Sequence, residues 1–198
     1  MDQSLCDCGK PISLAVKGPI KVCSECWEIQ VKMFEEYDRN RKIIEPQMDM
    51  IIERLYLGNA DASRTKELLQ EKGVSHILVA GDFLTVAYPD EYTYKQISLQ
   101  DQPDEDIKRY FIESAKFIHN ALRNGKTVFV HCAAGVSRSA SIIISYLMII
   151  NKWDFDETYQ MVKSKRSIIF PNSGFREQLR ELAIQIKNGE LKIDFDQE

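Results

Sequence analysis

The chain has 198 residues and a formal net charge of −4, with 28% charged residues of both signs. That length allows one domain of ordinary size plus an appendage. The mixed charge leaves no basic footprint for nucleic acid, and the most apolar run, residues 142–150, is too short to span a bilayer.

The first forty residues hold four of the five cysteines, as Cys6-x-Cys8-Gly9 and Cys23-x-x-Cys26. Two close pairs across a modest loop suggest one structural zinc on four thiolates. The first pair is tighter than usual, and Gly9 could ease its turn. The plainer alternative is surface thiols or, in an oxidising setting, disulfides. Residues 25–41 are charged and carry Trp27, Val31 and Phe34 at helical spacing. Residues 1–42 are thus expected to form a small Cys-rich extension, serving docking or self-association.

Residues 51–57 read as a strand pair or one bent strand, and 64–72 as a short helix closed by Gly73. Residues 74–80 and 94–99 read as strands. Residues 104–123 give the clearest helix, with Ile107, Tyr110, Phe111, Ala115, Phe117, Ile118, Ala121 and Leu122 on one stripe and Asn124-Gly125 ending it. Residues 127–130 are β-branched and aromatic, as in a buried strand. Residues 140–150 are almost continuously apolar, as in a buried helix. Helices follow over 154–164 and 173–186. Alternating strands and helices predict an α/β domain over 43–187, with a mainly parallel central sheet flanked by helices. Residues 188–198 form a short acidic tail, expected to be loosely held.

Between the strand at 127–130 and the helix at 140–150 lies His131-Cys132-Ala133-Ala134-Gly135-Val136-Ser137-Arg138-Ser139. Strand, tight loop and helix is the arrangement that aims backbone N–H groups and a helix N-terminus at one small anion. A cysteine at the bottom of such a cradle should be a thiolate and a nucleophile. Arg138 adds a planar fork suited to two phosphate oxygens, and Gly135 lets the loop adopt positive φ. Of Ser137 and Ser139, one can cap the helix and the other can donate to the sulfur as it leaves; Ser139 is the choice for the second role. Phosphoryl transfer also needs an acid for the leaving oxygen. Asp101, after the strand at 94–99, can reach the same sheet edge. Asp104, Glu105 and Asp106 are rivals, ranked below it because acidic residues belong in a helix's first turns anyway. Taken singly, these residues read as a buried hydrophobe, a turn residue and a helix-start arginine. The functional reading rests on their combination.

This loop resembles the signature His-Cys-x-x-Gly-x-Ser-Arg-Ser of cysteine-dependent protein phosphatases, in the form of the dual-specificity branch. Leu55-Tyr56-Leu57-Gly58-Asn59 with Ala62, Gly73 to Leu78, Leu99 to Ile107, and Pro171-Asn172-Ser173-Gly174-Phe175 with Gln178-Leu179 are similar to further family segments. The resemblance implies Cys132 as nucleophile, Arg138 as phosphate ligand, Asp101 as acid and then base, and Ser139 as helper of thiolate release. The amides of Ala133, Ala134, Gly135, Val136, Ser137 and Arg138 would hold the phosphate. Asn172 matches a position near the site without a firm role.

The implied activity is hydrolysis of phosphotyrosine and phosphoserine or phosphothreonine in proteins through a phosphocysteine, without a catalytic cofactor. A non-protein phosphate (an RNA 5′ end, an inositol lipid or a glycan) ranks second, because no Lys or Arg lies between Cys132 and Arg138 to favour polyanions. A phosphoprotein-binding scaffold is the third reading, disfavoured by the presence of nucleophile, arginine and acid together. With no basic-led apolar leader, no glycine after Met1 and no prenylation cysteine, neither secretion nor a lipid anchor is expected. The expected location is the cytoplasm, extending to the nucleus, with no membrane or nucleic-acid partner.

Overall fold

The computed structural model describes residues 45–81, 83–191, 193 and 195. Cys6, Cys8, Cys23, Cys26 and the helical reading of residues 25–41 lie outside the described residues.

Five strands form one sheet in the order β1-β2-β5-β3-β4: β1 Met48–Ile52, β2 Leu55–Gly58, β3 His76–Ala80, β4 Thr93–Ile97 and β5 Val128–His131. β2, β5, β3 and β4 run parallel, and β1 is an antiparallel edge strand on β2. The expected mainly parallel sheet is therefore present. Residues 51–57 prove to be a strand pair, turned through Glu53-Arg54, with Arg54 at φ 61°.

The described helices are α1 Ala60–Arg64, α2 Lys66–Glu71, α3 Lys108–Arg123, α4 Arg138–Asn151, α5 Phe155–Lys165 and α6 Ser173–Lys187. The helix expected over 64–72 is present as α2, and a further short helix, α1, precedes it across a break at Thr65, which is extended (φ −96°, ψ 92°). The helix expected from residue 104 starts at Lys108. Residues 104–106 form a turn instead. The side chain of Gln178 on α6 accepts from the N–H groups of Ile107 and Lys108 at 3.0 and 3.3 Å, satisfying amides that open the helix. Asp104, Glu105 and Asp106 thus sit in that turn rather than in helical turns.

The centre of the domain is β5 with α4. All four residues of β5 are buried, as are all from Arg138 to Ile149 on α4. A helix apolar nearly all round is buried on every side, and α4 packs against β5, α3, α5 and α6. α3 buries Phe111, Ala115, Ile118 and Ala121, one face at helical spacing, and leaves its other face polar. Among the described residues no helix is long and apolar enough to cross a membrane. The tail departs from expectation where it is described: Leu191, Ile193 and Phe195 are part-buried against the core, with the Phe195 ring 4.3 Å from that of His119.

This topology places the loop after β5 at the carboxyl edge of the sheet's central strand. The turns that follow β2, β3 and β4 flank it on the same edge, where open α/β sheets bind ligands.

Candidate active site

Cys132 follows the last residue of β5 and is 2% exposed. Its Sγ accepts from the N–H of Gly135 at 3.2 Å and from Ser139 Oγ at 3.1 Å. Both donors are aimed at the atom that attacks in nucleophilic catalysis. Ser139 Oγ is the hydroxyl that contacts the sulfur. Ser137 occupies the N-cap position of α4 but makes no capping bond, so the expectation that one of the two serines caps the helix is corrected. The hydroxyl of Ser137 is drawn away to Asp101 instead.

The loop's carbonyls explain its shape. In a planar trans peptide, a carbonyl and the N–H of the next residue point in opposite directions. The Cys132 carbonyl accepts from His131 Nδ1 (3.2 Å), that of Ala133 from the Ala60 N–H (3.0 Å), and that of Val136 from the Phe170 N–H (2.9 Å). The Ala134 and Gly135 carbonyls both accept from the Arg166 guanidinium (3.1 and 2.8 Å), and the Ser137 carbonyl from the Ser141 N–H (2.9 Å). Each carbonyl from Cys132 to Ser137 is thus held on the outside, which turns the N–H groups of Ala133 to Arg138 inward. Gly135 has φ 70°, and a Cβ there would stand 2.4 Å from the Gly58 carbonyl oxygen. Only glycine fits both demands.

Arg138 opens α4 and is 5% exposed. Its Nη1 donates to the Leu99 carbonyl at 3.4 Å, and its Nε lies 3.7 Å from Asp101 Oδ2. That Nε is buried and makes no hydrogen bond among the described residues. The guanidinium also stacks 5.1 Å from the ring of Phe83, which is 65% exposed. A buried arginine with an unspent donor is suited to a bidentate grip on an oxyanion.

Asp101 comes from the turn after β4. Its Oδ1 accepts from Ser137 Oγ (2.6 Å) and Asn172 Nδ2 (2.9 Å). Asn172 also caps α6, its Oδ1 accepting from the Phe175 N–H at 2.9 Å. One side chain therefore fixes both the acid and the start of a helix. Gly174 closes the packing: a Cβ on it would stand 1.7 Å from the Pro103 carbonyl oxygen. The start of α6 thus presses directly on the acid turn. Of the rival acids, Glu105 pairs instead with Arg109, and Asp106 accepts from the Lys108 N–H.

His131 is 1% exposed and stacks on Phe129. Burial pushes its pKa down to about 4, against a rise from its bond to the Cys132 carbonyl, with Arg64 and Arg138 lowering it further. The ring is therefore neutral near pH 7. Since a carbonyl only accepts, Nδ1 carries the proton.

The arrangement places a nucleophile, an anion cradle, a bidentate cation and a carboxylate at one sheet edge, which is the equipment for phosphoryl transfer to sulfur. Among the described residues there is no group of three or more His, Cys, Asp or Glu that could hold a metal. Two residues near the site carried no functional signal in the sequence. Arg166 follows a helix, where a cation suits the dipole for ordinary reasons, and Phe83 reads as one more apolar residue after a strand.

Residues 55–185 match the family described as "Dual specificity phosphatase, catalytic domain". The mouse "Dual specificity protein phosphatase 19" is 42% identical over 148 residues, 74% of this chain and 67% of that one. An Arabidopsis thaliana "Dual specificity protein phosphatase 1" is 40% identical over 133 residues, 67% of each. The crystal structure of human DUSP28 superposes with a TM-score of 0.69 at 26% identity, covering 73% of this chain and 97% of that one.

Proposed function

The chain belongs to the dual specificity phosphatase family and is a cysteine-dependent protein phosphatase; from that premise we propose that it hydrolyses phosphotyrosine and phosphoserine or phosphothreonine, with Cys132, Arg138, Asp101 and Ser139 in the catalytic roles. The observation that carries this reading is the convergence on one cradle of a doubly hydrogen-bonded Cys132 sulfur, the buried Arg138 fork and the Asp101 carboxylate.

The Cys132 thiolate attacks phosphorus as the bond to the ester oxygen breaks. Asp101, protonated for this step, gives its proton to the departing oxygen. The amides of Ala133 to Arg138 and the Arg138 guanidinium hold the three equatorial oxygens, where the charge spreads. Asp101, now a carboxylate, takes a proton from water as that water attacks the phosphocysteine. The S–P bond breaks, and the Ser139 hydroxyl receives the returning thiolate with a hydrogen bond. Inorganic phosphate leaves, and the enzyme is restored.

The test is a panel of p-nitrophenyl phosphate, phosphotyrosine and phosphothreonine peptides, 5′-phosphorylated RNA and inositol phosphates. The wild type is expected to hydrolyse the aryl phosphate and both peptide classes. Cys132→Ser is expected to lose all turnover while still binding a phosphopeptide, and Arg138→Lys to be nearly as damaged, because an ammonium cannot make a two-pronged contact. Near-normal turnover in Cys132→Ser would sink the mechanism. Faster turnover of RNA or inositol phosphates than of either peptide would replace the substrate class, and peptide binding without any wild-type turnover would favour a scaffold.

For the N-terminal segment, we propose that Cys6, Cys8, Cys23 and Cys26 hold one structural zinc, on the strength of their spacing. Elemental analysis should give about one zinc per chain, as such four-ligand sites do. Cys23→Ser should lose the metal and keep the phosphatase activity. A metal-free protein with freely titrating N-terminal thiols would reject the site.

A further inference from the structure

Arg166 is 3% exposed and follows the last turn of α5. Its guanidinium makes four hydrogen bonds that join three parts of the chain. Nε donates to the Gly135 carbonyl (2.8 Å) and Nη2 to the Ala134 carbonyl (3.1 Å). Nη1 donates to Asp49 Oδ2 (2.5 Å), and Nη2 also to Gln47 Oε1 (3.1 Å). Two of the bonds grip consecutive carbonyls of the phosphate cradle from outside. The other two anchor the same plane to β1 and to the residue just before it.

We propose that Arg166 is a positioning residue for the phosphatase reaction: it holds the Ala134 and Gly135 peptide planes so that the amides of Gly135 and Val136 face the phosphate.

Planarity of the peptide carries the first step. A carbonyl fixed outward fixes the next N–H inward. The Ala134 carbonyl thereby sets the Gly135 N–H, the one that already reaches Cys132 Sγ. The Gly135 carbonyl sets the Val136 N–H. Both planes adjoin Gly135, which has no Cβ and stands at φ 70°, so this is where the loop's own stereochemistry restrains it least. The remaining cradle carbonyls have anchors of their own: His131 Nδ1 and the N–H groups of Ala60, Phe170 and Ser141. Without Arg166, the two planes at the glycine would have no donor outside.

Geometry, rather than charge, is the main contribution. The Asp49 carboxylate at 2.5 Å largely offsets the Arg166 charge at the range of the cradle. A planar fork with five donors can hold two neighbouring carbonyls and two side-chain acceptors at once, and a point-like ammonium cannot. Asp49 and Gln47 fix the plane of the fork, so the edge strand β1 serves the site without touching substrate.

The inference rests on the phosphatase reading given above, and its test separates the two. Tungstate, a tetrahedral oxyanion, is titrated calorimetrically into wild type, Arg166→Met and Arg166→Lys, alongside kcat and KM for p-nitrophenyl phosphate and a thermal melt. Loss of preorganised oxyanion donors typically costs about 10²–10³-fold in kcat. Arg166→Met is therefore expected to lose about 10²-fold in kcat/KM and to bind tungstate at least about tenfold more weakly. Arg166→Lys, able to reach one carbonyl, should fall between it and wild type. Asp49→Asn, which loosens the fork and leaves it in place, should lower tungstate affinity by about two- to fivefold.

A merely structural arginine would lower the melting temperature and leave the oxyanion affinity of the folded protein unchanged. A cooperatively folded Arg166→Met with affinity and kcat/KM within about threefold of wild type overturns the proposal. If the Met variant does not fold, tungstate affinity and kcat/KM unchanged from wild type in both Arg166→Lys and Asp49→Asn overturn it. A wild type that binds tungstate but hydrolyses nothing defeats the phosphatase reading, and the role of Arg166 is then decided on affinity alone.

Discussion

The two faces of the cradle are built in opposite ways. The inner face is nine consecutive residues, His131 to Ser139, whose amides, sulfur and guanidinium converge on one small volume. The outer face is assembled from afar: Ala60 at the start of α1, Arg166 at the end of α5, Phe170 before α6, with Gln47 and Asp49 behind Arg166. The difference is a matter of hydrogen-bond accounting. A loop that turns its N–H groups toward a ligand turns its carbonyls away from it, and those carbonyls need donors. A short loop cannot supply all of them itself. The reactive groups are therefore local, and the geometry that makes them useful is distributed over the domain.

After loss of the nucleophile, the largest expected effect on turnover is loss of the acid, which reaches the inner face from the turn after β4. Asp101→Asn should lower kcat by about 10²-fold, within the range for general acid catalysis. The loss should shrink for aryl phosphates with good leaving groups, which need less protonation. Tungstate affinity should be retained, because the cradle is intact. Gly174→Ala tests the distributed side of the same function. Its added Cβ would stand 1.7 Å from the Pro103 carbonyl oxygen, so the acid turn must move away from α6 even though alanine favours the helix itself. A loss of about tenfold in kcat is expected, smaller than the removal of the acid outright, with the same dependence on leaving group and no change in oxyanion binding. Single-turnover kinetics on both variants would check this. An unchanged kcat in Gly174→Ala would show that α6 does not place the acid.

The same contrast decides what was legible in the sequence. The strand-loop-helix pattern around Cys132 was readable because its residues are neighbours, and the parallel sheet because its apolar runs alternate with helical stripes. The start of α3 was not. Residues 104–106 look like an acidic first turn, and only the Gln178 side chain, some seventy positions away, shows why the helix opens at Lys108. Of the two loop serines, the contact of Ser139 with the sulfur was legible and the role of Ser137 was not: its hydroxyl leaves the helix start for Asp101, 2.6 Å away. Asn172 was placed near the site by resemblance but without a role, and its two bonds, to the Phe175 N–H and to Asp101, are seen only in the fold. Arg166 was invisible for the same reason: a cation after a helix is ordinary until the carbonyls it grips are seen.

The smallest expected effect concerns His131, the one outer donor that is itself part of the signature loop. Its neutral ring donates from Nδ1 to the Cys132 carbonyl, and burial holds its pKa at about 4, below the ordinary 6.5. Between those values the unfolded chain binds a proton that the folded protein refuses. Stability therefore rises with pH across this window, is fully present above about 6.5, and is lost as pH falls toward 4. The full span is worth at most about 3–4 kcal/mol, at about 1.4 kcal/mol per unit of pKa difference. His76, also lowered by burial, adds a lesser contribution of the same sign. His131→Asn removes the titrating ring and keeps a side-chain donor. Chemical denaturation at a series of pH values should show a shallower loss of stability between pH 6.5 and 4 in this variant, whatever its stability at neutral pH. Carboxylates titrating at the acid end affect both proteins alike, so the difference between the two slopes is the measurement. Equal slopes would mean that His131 is not held neutral by its burial, and that the first carbonyl of the cradle is fixed by something other than an uncharged imidazole.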